Sequence, residues 1–259
     1  MTLSILTPQQ KQSYEADGYL HLRGFYAGAE LERLRGEYHK LVTETEGRPK
    51  NMSYAYMEPP EGYPPDDFNP KNVEGMMDQT LGGDFWFDQF TEPRVVSVMV
   101  DCLGPNLDFH NGKVRNKPPG FEATQGWHQD WPYERHSVPE LAAAITYLDP
   151  TDFEAGATEV IPGSHRDALP TAEGTSVLVQ EDVDESQRVV CKVGAGDVVI
   201  IHVQTVHRAG RNYTKRSRNA IINEYKTAAA IDEWNNRCAF AGLPLARGGK
   251  LLMPRLTAA

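Results

Sequence analysis

Two histidines and an aspartate carry the first chemical suggestion in this chain. His128 and Asp130 lie in WHQDW, and His207 lies in TVHRAGRN, shortly after the turn-and-strand run GAGDVVIIH. Two imidazoles and one carboxylate can occupy one face of an iron ion and leave the opposite face open, as non-haem Fe(II) oxygenases require. Arg218 follows His207 within the same stretch and begins the alternating segment RNAII. It therefore faces the same side as Ala220 and Ile222. A guanidinium aimed into an apolar barrel needs an anion, because an unpaired buried charge is costly. Its planar fork suits a carboxylate. A single H-x-D is a weak signal in a chain with eight histidines; co-occurrence with the second histidine and the arginine raises it.

These residues need elements to position them. On an extended strand, residues two apart point the same way, so His128 and Asp130 project together and Gln129 points opposite. Trp127 and Trp131 flank the pair. After Gly104 the chain breaks into short runs, Leu107–Val114, Ala142–Leu148, Thr158–Ile161, Val177–Val179, Arg188–Lys192, Val198–Val203 and Asn219–Tyr225, separated by Gly, Pro, Asp and Asn. Many short strands with frequent turns predict a jelly roll rather than alternating βα units. Before Gly104 the texture is helical. Thr7, Pro8 and Gln10 form a helix-start signal ended by Gly18, Tyr19–Leu22 reads as a strand, and helices are predicted over 29–43 and 93–102. The segment 47–83, rich in proline and acid, is predicted to be neither regular helix nor central strand. It reads equally as a lid or as a surface excursion. The expected architecture is mostly β with α: a helical layer over about 1–104, a jelly-roll core over 105–230 and a tail over 231–259, in one domain.

Composition limits the partners. The chain has 259 residues, enough for one large domain. Its net charge of −10 argues against nucleic acid and anionic membrane. No apolar run approaches a bilayer span, and the start lacks a signal-peptide pattern. Three cysteines without a C-x-x-C pair fit free thiols in a reducing cytoplasm. His165 and His202 read as structural residues, and His110 reads equally as a structural residue or as part of a pocket mouth.

WHQDW, ITYLDPTDFEAGATEVIPGSHR and GDVVIIHVQTVHRAGRN with Arg218, together with the opening LTPQQKQSYEADGYLHLRGF, strongly resemble the phytanoyl-CoA dioxygenase (PhyH) family. That resemblance covers most of the chain. It implies a double-stranded β-helix, Fe(II), 2-oxoglutarate and O2. It implies His128, Asp130 and His207 as iron ligands, Arg218 as the partner of the distal carboxylate of 2-oxoglutarate, and Gln129 as a co-substrate contact. The strand FHNGKVRNKPPG resembles the family strand that supplies polar contacts from alternate residues, which points to Asn111 and Arg115. The family often carries a serine two residues after the second histidine. Ala209 stands there, so Thr205 or water would have to replace the hydroxyl.

The implied reaction converts 2-oxoglutarate and O2 to succinate and carbon dioxide while an unactivated C–H bond of a small molecule is oxidised. Hydroxylation, desaturation, epimerisation and cyclisation share that centre. The presence of Asp130 argues against halogenation. Tyr54, Tyr56, Met57, Phe85, Trp86, Trp131 and Tyr133 form an aromatic-rich set, and Trp131, Tyr133 and Tyr56 are the candidate substrate contacts. They suggest a fairly large, apolar substrate with polar anchors, such as a natural-product intermediate; a core role fits Phe85 and Trp86 equally. Two other readings use the same residues: a cupin-type metalloenzyme without 2-oxoglutarate, and a non-catalytic jelly-roll binding protein.

Overall fold

The computed structural model describes residues 4–43, 54–56, 73–120, 126–233 and 238–256, with the backbone alone at 54–56 and 73–74. The described elements run α1 (Pro8–Asp17), β1 (Tyr19–Leu22), α2 (Gly28–Thr43), β2 (Tyr54–Tyr56), β3 (Val73–Met77), α3 (Asp84–Phe90), α4 (Pro93–Leu103), β4 (Leu107–Lys117), β5 (Leu141–Tyr147), β6 (Thr158–Val160), β7 (Val189–Val190), β8 (Val198–His202), β9 (His207–Ala209), β10 (Arg218–Thr227), β11 (Pro244–Arg247) and β12 (Lys250–Leu251). The first helix starts as its sequence predicts. Thr7 accepts from the Gln10 backbone, the Gln10 side chain accepts from the Thr7 backbone, and Gly18 closes the helix at φ 75°.

The strands form two antiparallel sheets. The large one runs β1-β8-β5-β10-β4-β11-β12, with β3 added to β4 and β2 to β3; the small one runs β7-β6-β9. Strand β5 is buried along its whole length because both its faces are covered. Ala142 and Ala144 pack with the helices, alongside Val198, Ile200, Ile221, Phe87, Phe90 and Val95. Ala143, Ile145 and Tyr147 point the other way and meet Val160, Cys191, Val199, Ile201 and Ala220 between the two sheets. The period-2 alternation thus splits each central strand between a helix-backed core and a barrel interior. This is a jelly roll, a double-stranded β-helix backed by helices.

The same alternation fixes what the interior displays. Register pairs Arg218 with Lys117, Ala220 with Arg115, Ile222 with Lys113 and Glu224 with Asn111. The register slips between Glu224 and Tyr225, leaving His110 as an extra residue on β4. Such a bulge re-aims a side chain.

Several expectations change. Val177–Val179 is a loop, held by Ala172 N–H donating to Val177 O and a lone bridge from Thr171 to Leu178; its residues find no long partner strand. Within 47–83, Val73–Met77 is a strand paired with Lys113–Arg115 of β4, contrary to the expected irregular segment. Met57 lies outside the described residues, as do the side chains of Tyr54 and Tyr56. The tail returns as β11, antiparallel to the start of β4. Phe85 and Trp86 sit on α3 and pack in the helix-backed core, away from the barrel interior. Among the described residues, no helix is long and apolar enough to cross a membrane.

Candidate metal and co-substrate site

His128 and His207 face each other as an antiparallel bridge: each backbone N–H donates to the other's carbonyl, at 2.9 and 2.8 Å. This bridge, rather than a regular strand through WHQDW, brings two residues far apart in sequence together. The chain then turns, with Tyr133 and Glu134 N–H groups both donating to Asp130 O. That turn aims the Asp130 carboxylate between the rings. His128 Nε2 lies 3.7 Å from Asp130 Oδ1 and His207 Nε2 lies 3.7 Å from Asp130 Oδ2, with ring centroids 4.2 Å apart.

The orientation of the rings is set from behind. His128 Nδ1 meets the Gly126 carbonyl and His207 Nδ1 meets the Thr205 carbonyl, each at 2.9 Å. A carbonyl only accepts, so Nδ1 carries the proton and the Nε2 lone pair is free toward the carboxylate. Burial, then the neighbouring His207, lowers the His128 pKa to about 4, which keeps the ring neutral and able to ligate. Burial alone would raise the Asp130 carboxyl. The facing His207 ring and Lys113, then His128 and Arg115, outweigh it and hold the carboxyl below its ordinary value. One oxygen and two nitrogens with open lone pairs, all within 4.8 Å, fit a transition metal that keeps open positions. No ion is present, and the fit rests on this donor set.

Arg218 lies on the neighbouring stretch of the barrel interior. Strand β9 pairs His207 with Val160 and Ala209 with Thr158, so Thr158 is one pleat repeat, roughly 7 Å, along the face that carries His207. Arg218 is buried, stacks over Tyr147 at 5.1 Å and reaches the Thr158 hydroxyl at 3.4 Å. Its Nε has no partner, and no carboxylate among the described residues forms an ion pair with it. A buried guanidinium with a free donor edge fits the carboxylate of a small acid. The missing serine also finds an explanation. Thr205 donates its hydroxyl to Gly18 O, away from the site, whereas Thr158, directly opposite Ala209, hydrogen-bonds Tyr147 Oη at 2.6 Å and serves the guanidinium. Tyr147 and Thr158 were missed in the sequence because only cross-strand register brings them to Arg218.

The remaining predicted residues divide. Gln129 does not present its amide to the site. Its Nε2 donates to Asp167 O and Gln204 O, and its Oε1 accepts from Leu169 N–H. The residue is fully buried, so its polar ends are used in tying loops together. Trp127 packs with Ile161, Leu178 and Val206, and Trp131 packs with Leu141, Val203 and Ala230. Tyr133 is exposed and meets the His128 ring edge-on at 6.4 Å, at the mouth. Arg115 faces the interior and acts on Asp130 electrostatically. Asn111 binds Glu224 at 2.9 Å. Lys113, next to it on the same face, forms an ion pair with Glu224.

The phytanoyl-CoA dioxygenase (PhyH) family profile matches residues 14–220. The chain belongs to this family. Among relatives of this PhyH member, a probable alpha-ketoglutarate-dependent hypophosphite dioxygenase of Stutzerimonas stutzeri is 24% identical over 243 residues, covering 87% of this chain and 79% of the relative. Two solved structures share the fold. EctD from S. alaskensis, with 2-oxoglutarate and 5-hydroxyectoine, superposes at a TM-score of 0.77 with 18% identity, covering 95% of this PhyH chain and 85% of EctD. The epimerase SnoN, in complex with Fe3+, alpha ketoglutarate and nogalamycin RO, superposes at 0.68 with 20% identity, covering 92% and 95%.

Proposed function

We propose that His128, Asp130 and His207 hold Fe(II), and that Arg218, with Thr158 beside it, binds the far carboxylate of 2-oxoglutarate. As a PhyH member the chain is a 2-oxoglutarate-dependent oxidising enzyme. The proposal assigns that chemistry to residues. The observation that carries it is the buried Arg218 guanidinium, which has no anion among the described residues and reaches Thr158 on the interior face that also carries His207. A metalloenzyme without 2-oxoglutarate would need a substrate acid to compensate that charge, since leaving it unpaired costs several kcal/mol.

When bound, the iron and its co-substrate supply the oxidising power, with succinate and carbon dioxide as products. The chain's own contribution is orientation and exclusion of water. The Gly126 and Thr205 carbonyls fix the two imidazole tautomers, the Asp130 turn fixes the carboxylate, and Tyr147 walls the arginine from solvent. The substrate is a small molecule, a natural-product intermediate by analogy with SnoN and EctD, entering past Tyr133 and oxidised at a C–H bond by hydroxylation, desaturation, epimerisation or cyclisation. The protein acts in the cytoplasm, consistent with free thiols at Cys102 and Cys191.

An anaerobic titration tests the assignment. Adding Fe(II) and then 2-oxoglutarate should produce the visible metal-to-ligand absorption of a chelated 2-oxo acid, and Arg218→Met should move its midpoint to higher 2-oxoglutarate concentration. A midpoint unchanged in that variant would remove Arg218 from the co-substrate site.

A further inference from the structure

A second group of polar side chains lies beside the triad, on the far side from Arg218. His110, displaced inward by the β4 bulge, places Nε2 2.6 Å from Glu134 Oε2. Asn111 Nδ2 donates to Glu224 Oε2 at 2.9 Å and reaches Glu134 Oε1 at 3.4 Å. Lys113 Nζ forms an ion pair with Glu224 Oε1. The group is joined to the metal site by one turn, because the Glu134 N–H donates to Asp130 O. Side chains of Glu134, Lys113 and Asp130 keep 15, 15 and 23% of their surface exposed, so the group opens where the metal ligands open.

The group leaves an acceptor open. Asn111 is fully buried and its Oδ1 has no hydrogen-bond partner, while Glu224, also buried, meets the Lys113 ammonium at Oε1 and Asn111 at Oε2. The two carboxylates of the group face one ammonium. Buried acceptors are rarely left unsatisfied, and a hydrocarbon placed against them would leave their desolvation uncompensated.

We propose that Asn111, Glu134 and Glu224 form the substrate anchor of this enzyme and select a molecule that presents hydroxyl or amino hydrogen-bond donors close to the oxidised C–H bond. This rests on the iron and 2-oxoglutarate reading above and deepens it by naming the substrate class. It also revises the expectation of an aromatic-lined apolar pocket, since Phe85, Trp86 and Trp131 are occupied in packing.

Matched probes test it: cyclohexane-1,2-diol, 2-aminocyclohexanol, cyclohexylamine and methylcyclohexane, each given to the full chain with Fe(II) and 2-oxoglutarate. Binding is read by ligand-observed NMR and turnover by succinate released above the probe-free rate. Donor-bearing probes should bind and stimulate at least about tenfold better than the hydrocarbon, since one hydrogen bond to a charged acceptor is of that size. Glu134→Gln should weaken the amine probes selectively, and Asn111→Leu the hydroxyl probes, while the Fe(II)/2-oxoglutarate absorption persists. No preference for donor-bearing probes, including no response to any of them, overturns the anchor. Loss of the absorption band in the unmodified protein would instead overturn the metal and co-substrate assignment.

Discussion

The two polar compartments flanking the triad differ in what they lack. On one side the buried Arg218 guanidinium has a long contact to the Thr158 hydroxyl and an Nε without a partner. On the other, His110, Asn111, Lys113, Glu134 and Glu224 satisfy most of one another and leave the buried Asn111 Oδ1 open. A bare cation specifies a ligand by charge, whereas a nearly complete network specifies it by the few positions left open. The contrast matches an invariant co-substrate on one side and a chosen substrate on the other.

The largest effect should come from the group that serves both compartments. Asp130→Ala should lower turnover by more than about a hundredfold, since loss of groups that merely orient metal ligands already costs 10–100-fold. The fold should persist, because the turn is held by the Asp130 carbonyl and not by its carboxylate. Succinate formation and circular dichroism check this together. Normal activity in the variant would dissolve the comparison, because neither compartment would then flank a metal.

Arg218→Met comes next. Removing two charge-assisted contacts should raise the 2-oxoglutarate KM about 10–100-fold with a smaller change in substrate KM. The same variant should not lose thermal stability as the apoprotein, because the lost cation was buried without an anion. In the unmodified protein 2-oxoglutarate should raise Tm in proportion to its binding, and in the variant that rise should disappear. An apoprotein that melts much lower would mean the guanidinium is structural.

Much of the cation side was legible in the sequence and little of the acceptor side was. His128, Asp130, His207 and Arg218 stand out by residue type, and period-2 alternation along β10 does aim Arg218 inward, although a bridge and a turn, rather than a strand through WHQDW, position the triad. His110 breaks that alternation. It enters the pocket only because one residue of β4 has no partner opposite the junction of Glu224 and Tyr225, and nothing in LDFHNGKV marks the slip. Glu134 arrives through a turn four residues after Asp130, a geometry that a strand reading of WHQDW excludes. Gln129 was placed on the correct face, opposite the ligands, yet its role follows from loops at Asp167, Leu169 and Gln204 that have no sequence signature.

Gln129 gives a mid-sized test of how rigid the boundary between compartments must be. Gln129→Ala strands two carbonyls and one N–H in a buried setting, which should cost about 2–4 kcal/mol of stability. The 2-oxoglutarate KM should move little. A denaturant melt and a KM measurement separate the outcomes, and a rise in KM without loss of stability would return Gln129 to the co-substrate side.

The smallest effect uses a second histidine pair as a contrast to the first. His165 and His202 stand edge-to-face at 5.4 Å, much as His128 and His207 face each other, but no carboxylate completes a metal set with them among the described residues. Burial, then His165, lowers the His202 pKa from 6.5 to about 4, and its Nδ1 already accepts the Gln204 N–H, so a proton there breaks a bond. The unfolded chain binds that proton from pH 6.5 downward while the folded one resists it until about pH 4. Stability should therefore fall as pH drops through that window, by at most about 3 kcal/mol from this ring. His202→Asn should remove the His202 share of that acid limb, leaving the share of His128, without altering the Tm rise produced by Fe(II), whereas His128→Ala should abolish the rise. If the asparagine variant lost the metal response as well, two imidazoles alone would suffice, and the Asp130 turn would no longer distinguish the functional pair from the structural one.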